Sequence, residues 1–265
     1  MKKIKAIILR TAGTNCDKET AYAFEVAGCE AELVHINRLI EKQASLDKCH
    51  ILAIPGGFTY GDDIASGKIL ANELKFNLKG PLNDFVSKGN LIIGICNGFQ
   101  VLVKMGLLPN TEKKKEIEIE TTLSLNDSGK FIDKWVYLKK PKDNKCVWTK
   151  DLTDVIYLPI AHAEGKFITK DTKVLNALRQ NGQIVFRYSD KNGDEGAAGS
   201  NPNGSEDNIA GITDPTGRIL GMMPHPERHI SYLQHPNWRR MSKKNMGQGL
   251  DIFRTGVKYI RENIL

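Results

Sequence analysis

Through the first hundred residues apolar positions come in short, unbroken runs. IKAIIL (4–9), ILAI (51–54) and LIIGI (91–95) are too short for helices and read as buried strands. AELVHI (31–36) alternates and reads as a further strand, with His35 in a structural position. Between the runs the period lengthens. The spacing predicts a helix over TAYAFEVA, entered by a Thr14-x-x-Asp17 capping box and ended by Gly28. Further helices are predicted over about 66–76, about 81–88, and from about Asn97 to Met105, where Gly106 and Pro109 stop the last. Short apolar strands alternating with helices imply an α/β fold with a mostly parallel central sheet covered on both faces.

The second half reads differently. IEIETTLSL (117–125) and KFIDKWVYLKK (130–140) are charged, strand-like stretches separated by turn signals, and mark 111–150 as a strand-rich antiparallel extension. QIVFRY (183–188) is another strand, and 189–208 is a long polar loop. NIAGIT and RILGMM flank Asp214, Pro215, Thr216 and Gly217, a hairpin signal. With no Gly-rich or Pro-rich linker and no internal repeat, residues 1–265 read as a single domain.

The chain has 265 residues, 40% of them hydrophobic and 26% charged, which is ordinary globular composition. No apolar run approaches the roughly 20 residues that a bilayer requires. The apolar run behind the N-terminal lysines is too short for a secretion signal and ends at Arg10. The five cysteines are widely spaced without a Cys-x-x-Cys, so neither a disulfide framework nor a cysteine metal site is expected. These features place the chain in the cytoplasm. The formal net charge is +7, and from Arg228 to Leu265 eight Lys or Arg face two acids. A solvated basic tail (about 228–265) is favoured over nucleic-acid binding, because no nucleic-acid recognition motif accompanies the charge.

The chemistry begins in LIIGICNGFQVL (91–102). Cys96 stands at a strand-to-helix corner framed by Gly94 and Gly98, the thiol version of the Gly-x-Ser-x-Gly elbow. Such a corner exposes one side chain above the strand ends while holding it rigidly. The helix N-terminus lowers a thiol pKa, and the Asn97 N–H can hold an oxyanion beside the sulfur. A buried structural cysteine is the competing reading. Cys16 also lies between a strand and a helix but lacks the glycine frame; a local structural role is expected for it.

A cysteine nucleophile needs a histidine base, and the base an orienter. His225 in PHPE (224–227) is stiffened by two prolines, and Glu227 can turn back to accept its other N–H. A rigid surface turn is the alternative. In AIPGGFTYGDD (53–63), glycines after a strand allow backbone N–H groups at Gly57 and Phe58 to complete an oxyanion hole; a simple turn is again the alternative.

GICNGFQ (94–100) with HPE (225–227) resembles the class-I, triad-type glutamine amidotransferases. NCDKET (15–20), PGGFTYGD (55–62), HAEG (162–165), NPNGS (201–205) with IAGI (209–212), and MMPHPER (222–228) are similar to one branch, the glutaminase subunits of an ATP-dependent synthase in purine biosynthesis. The resemblance spans nearly the whole chain, loosely over 111–150, with a longer tail than the compact subunit. It implies a flavodoxin-like fold and glutamine as substrate. Cys96 would form a γ-glutamyl thioester, His225 move the protons and Glu227 orient His225. Gln100, His162, Glu164 and Gly165 would grip the amino-acid end of glutamine. It implies a large synthase subunit and a small accessory subunit as partners, with ATP and Mg on the synthase subunit. This chain carries no phosphate-binding loop of the Gly-x-x-x-x-Gly-Lys-Ser/Thr type, so no cofactor or metal is expected here. The basic tail, including Arg239 and Arg240, is expected to meet an acidic surface of the partner. A free-standing thiol amidase acting on γ-glutamyl compounds and a non-catalytic regulatory module are the competing functions.

Overall fold

Strand and helix alternate from the start of the chain, in a computed structural model that describes residues 3–112, 118–241 and 246–265. The order is β1 (Lys5–Arg10), α1 (Asp17–Val26), β2 (Glu30–His35), a short α2 (Ile36–Ile40), β3 (Ile51–Ile54), α3 (Lys68–Asn77), α4 (Lys79–Ser87), β4 (Leu91–Ile95) and α5 (Asn97–Met105). The second half adds β5 (Thr121–Leu125), β6 (Ile132–Lys139), β7 (Val155–His162), β8 (Glu164–Thr169), α6 (Thr172–Gln180), β9 (Ile184–Ser189), β10 (Ile209–Thr213), β11 (Ile219–Met222) and α7 (Leu250–Asn263).

Among the described residues the main sheet runs β2-β1-β3-β4-β11-β10-β9-β6-β7. Its first five strands are parallel and the remaining pairs are antiparallel. The parallel part has the flavodoxin-like order, with β11 as fifth strand. β3, β4 and β11 are buried at every residue, as expected of strands covered on both faces. The β10–β11 hairpin forms around Asp214, whose carboxylate accepts the amides of Thr216, Arg218 and Ile219.

Helix α1 begins later than the capping box implies. Thr14 Oγ1 accepts the Thr11 N–H instead, at 3.1 Å, and Cys16 occupies the N-cap without a side-chain capping bond. Asp17 and Glu19 lie in the first turn, where negative charge suits the helix dipole.

The strand-rich segment divides between two sheets. β6 joins the main sheet, while β5 pairs with β8 in a separate two-stranded ribbon over α5, where Phe99 and Phe167 stack at 6.4 Å. Ile117, at the start of the expected strand, lies outside the described residues.

The C-terminal tail is not a loose basic extension. The spacing of Ile252, Phe253, Val257 and Ile260 builds the apolar face of α7, and Phe253 packs edge-on against Phe24 of α1 at 4.9 Å. Several tail charges are paired: Lys258 with Asp151 at 2.8 Å, Arg254 with Asp251 at 3.6 Å. Arg239 and Arg240 are exposed, Arg239 over the Trp238 ring, and Lys243 and Lys244 lie outside the described residues. The segment before α7 covers the outer edge of β7: the His225 N–H donates to Pro159 O and the Tyr157 N–H to Gln248 Oε1. Among the described residues no helix is long and apolar enough to cross a membrane.

Candidate active site

Three adjacent parallel strands, β3, β4 and β11, end side by side, and each is followed by one of the three stretches that carry the chemistry. PGGF follows β3, Cys96 follows β4, and PHPE follows β11. Ligands of open α/β sheets bind at such carboxyl ends.

Cys96 is the corner itself, with φ 52° and ψ −105°. A side chain in this left-handed region is strained and is held there by its surroundings. Its N–H donates to Met222 O at 2.8 Å, continuing the β4–β11 pairing, while its own carbonyl accepts the Gln100 N–H. The two framing glycines are sterically required. A Cβ on Gly94 would lie 2.6 Å from Gly98 O, and one on Gly98 would lie 1.9 Å from Ile54 O.

His225 and Glu227 are almost wholly buried, at 1% and 0% side-chain exposure, and His225 Nδ1 donates to Glu227 Oε1 at 2.6 Å. With Nδ1 engaged, Nε2 is the nitrogen left for the thiol. Burial disfavours a charged imidazole, but the Glu227 carboxylate, Cys96 and Cys16 outweigh it, and His225 holds its proton well above the ordinary histidine range. Cys96 is among the groups that raise His225, while among the described residues Nε2 has no hydrogen-bond partner and Cys96 Sγ lies 3.7 Å from Ala161 O.

The Asn97 amide, first of α5, has no carbonyl four residues back within its helix. Phe58 is different. Its N–H donates to Gly13 O at 2.8 Å, and the Asn15 N–H to Gly56 O, in the bridge between Thr14 and Gly57. That pairing uses the Phe58 N–H and leaves the Gly57 N–H outside it, so of the two amides named from the sequence only that of Gly57 is left for an oxyanion. Gly57 has φ 148°, and a Cβ there would lie 2.6 Å from both Asn15 N and Gly13 O.

A cleft of about 210 Å³ opens at Cys96, bounded by Gly57 and Phe58 on one side and 161–164 on the other. A larger cavity, about 550 Å³, lies among Lys5, Glu30 and Lys48 and carries none of this chemistry. Gln100 lines the cleft, yet its amide is spoken for: Nε2 donates to Glu164 O at 2.5 Å and Oε1 accepts from Asn97 Nδ2 at 3.1 Å. Asn97 in turn accepts from Thr59 and donates to Asp62 Oδ1 at 3.0 Å. Burial, with Glu164 nearby, raises the Asp62 pKa against the hydrogen bonds from Ser66, Gly67 and Asn97.

His162 and Glu164 line the cleft; Gly165 does not. A Cβ on Gly165 would lie 2.2 Å from His162 Cε1, so this glycine seats the imidazole instead. His162 Nδ1 donates to Asn126 Oδ1 at 3.0 Å, and Asn126 Nδ2 donates to two carbonyls, which orients the amide. Burial, and then the neighbouring His225, push His162 down to about 4, so it is neutral at physiological pH. The sequence reading missed Asn126, Asp62 and Ser66. Asp62 stood within the quoted PGGFTYGD block, but Asn126 and Ser66 carried no motif signal.

Cys16 also departs from expectation. Its buried sulfur lies 3.9 Å from His225 Nδ1 and accepts from Arg228 Nη2 at 3.0 Å, contacts across more than two hundred residues. The donor atoms of Cys16, His225 and Glu227 lie within 4.8 Å of one another, but the guanidinium on the sulfur opposes a cation among them.

The sequence profile of the CobB/CobQ-like glutamine amidotransferase domain matches residues 3–260. The chain is 47% identical over 263 residues to phosphoribosylformylglycinamidine synthase subunit PurQ of Dehalococcoides mccartyi, covering 99% of this chain and 100% of that one. It is 41% identical to the PurQ subunit of Archaeoglobus fulgidus, covering 98% of each. Among solved structures, PurLQS from Thermotoga maritima has a similar chain, with a TM-score of 0.73 and 30% identity over 98% of this chain and 100% of that one. A glutamine amidotransferase from Thermotoga maritima, 14% identical with a TM-score of 0.57, shares the fold over 99% of this chain and 100% of that one.

Proposed function

Because the chain belongs to the CobB/CobQ-like glutamine amidotransferase family, we propose that it is the glutaminase subunit of phosphoribosylformylglycinamidine synthase in purine biosynthesis. It works as one domain that hydrolyses glutamine and hands ammonia to a synthase subunit. The observation that carries the reading is the meeting of Cys96, the His225–Glu227 pair and the Gly57 loop at three neighbouring strand ends.

In the free site the thiol proton rests on His225 Nε2, giving a thiolate–imidazolium pair, and the Cys96 thiolate attacks the side-chain amide carbon of glutamine. The carbonyl oxygen becomes an oxyanion, held by the N–H groups of Asn97 and Gly57; losing one such donor costs on the order of a hundredfold in rate. The C–N bond then breaks as His225 returns the proton to nitrogen, releasing ammonia and leaving a γ-glutamyl thioester. Water, deprotonated by His225, attacks the thioester; glutamate leaves and the thiol is restored. Glu227 keeps the imidazole in one tautomer and stabilises its charged form. The neutral His162 and the Glu164 segment border the amino-acid end of glutamine.

The partners are a large synthase subunit and a small accessory subunit, in line with the three-part PurLQS assembly in Thermotoga maritima. The synthase subunit carries ATP and Mg and converts formylglycinamide ribonucleotide to formylglycinamidine ribonucleotide with the delivered ammonia. The exposed Arg239 and Arg240 contribute to docking on an acidic surface. Five unpaired cysteines favour a reducing compartment, the cytoplasm.

The test is ammonia release from glutamine by the native chain and Cys96→Ala, with and without the synthase subunit. Partner-dependent release that the substitution abolishes is expected. Steady release at full rate without a partner indicates a free-standing amidase. No release, with an unreactive Cys96, indicates a regulatory module.

A further inference from the structure

We propose that Cys16 is a positioning residue for His225, a third contact that fixes the imidazole and its proton affinity alongside Glu227; this rests on the glutaminase reading. Three loops converge at the ring. Cys16 comes from the loop after β1, Gly56 from the loop after β3, and His225 from the loop after β11. The Asn15 and Cys16 amides both donate to Gly56 O, at 3.2 and 3.1 Å, which ties the cysteine backbone to the PGGF loop. Gly56 leaves room for the contact, since a Cβ there would lie 2.7 Å from His225 Cε1 and 3.5 Å from Cys16 Sγ.

Cys16 is 3% exposed, and its sulfur lies 3.9 Å from the same nitrogen that donates to Glu227. Arg228 completes the arrangement. Its Nη2 donates to Cys16 Sγ at 3.0 Å, and its Nε lies 3.9 Å from Glu227 Oε1. One guanidinium thus steadies both groups that bear on Nδ1, and electron density on the sulfur favours the protonated ring. The charged and titratable groups facing the imidazole are Glu227, Cys96, Cys16, Arg228 and His162. Cys16 does not line the glutamine cleft, so its influence is on proton transfer and not on substrate affinity.

The experiment compares native, Cys16→Ala and Cys16→Ser chains in the assembled synthase, reading glutaminase kcat and KM across pH. The His225 imidazole is titrated in parallel by NMR in the assembled complex. For Cys16→Ala the ring should lose its proton at lower pH, and the alkaline limb of kcat/KM should follow by about half a pH unit or more. We expect kcat to fall by about tenfold to a hundredfold with KM for glutamine unchanged. The serine hydroxyl keeps a polar partner for ring and guanidinium, so Cys16→Ser should restore part of both. Should the alanine variant not fold, the serine variant carries the same test with a smaller shift. An unmoved titration and limb overturn the proposal whatever happens to kcat, since that is the signature of packing alone. A native complex that releases no ammonia removes the glutaminase reading instead, while the NMR titration still reports the Cys16–His225 contact by itself.

Discussion

A Cβ placed on Gly98 would sit 1.9 Å from the carbonyl oxygen of Ile54. The first turn of α5 therefore lies directly against the end of β3, and this approach fixes Cys96 relative to the Gly57 loop. The carbonyl oxygen belongs to the backbone and the Cβ position is fixed by it, so neither can yield by a rotamer change.

Gly98→Ala should accordingly displace α5 from β3. We expect a stability loss of about 1–3 kcal/mol or more and glutaminase activity down by about a hundredfold. Gly80→Ala is the contrast, because a Cβ on that α4 residue meets nothing within 4 Å. It should leave activity intact and be neutral or stabilising by up to about 1 kcal/mol. Thermal melts and ammonia release of the two variants check this; equal behaviour would refute the packing account.

Glu227→Gln keeps the shape beside His225 Nδ1 and removes the charge. The carboxylate is the leading influence that raises His225 against burial, so the ring should deprotonate at lower pH in the variant. The alkaline limb of kcat/KM should move down and kcat fall on the order of a hundredfold to ten-thousandfold, with KM for glutamine little changed. An unmoved limb counts against the pair.

His162 titrates near 4 in the folded chain against an ordinary 6.5. Between those values the unfolded chain binds the proton and the folded chain does not, so stability falls as pH drops through the window. The contribution is present above pH 6.5 and is lost toward pH 4. Urea unfolding of native and His162→Gln chains should show the native protein losing about 2–3 kcal/mol more between pH 7 and pH 4.5. Parallel losses in the two chains would mean that another group titrates.

Burial pushes the thiols of Cys29, Cys49 and Cys146 up to about 12. At pH 7.5 their thiolate fraction is on the order of one in ten thousand or below. Iodoacetamide should modify Cys96 in the native chain, and glutamine should protect it. The other three should react only after unfolding. Mass spectrometry of the peptides decides it; early labelling of any of the three would contradict their burial.

How much of this was written along the chain depends on range. Three apolar runs of the first half announced β1, β3 and β4, because strands buried on both faces need no polar alternation, and the alternation of AELVHI announced β2. The Gly94 and Gly98 frame announced the corner, because close backbone approach admits only glycine. Phe58 was named as an oxyanion donor on the same local logic, yet its amide is spent on Gly13 O, a pairing set by a neighbouring loop. β7, β8, α6 and α7 passed unnoticed in the half-polar second half of the chain, where burial is decided by what packs on top. β5 lay in a legible strand pattern, but its partner is β8 and not β6, a choice between competing edges that residue spacing does not encode. Cys16 looked local, and the fold carried His225 and Arg228 to it from the far end of the chain. Sequence by itself determined the strands and most helices of the first half and the glycine-framed corner, since these follow from short-range sterics and periodicity. Tertiary structure alone decided which distant side chains surround the imidazole, because that environment is assembled by strand order across the sheet.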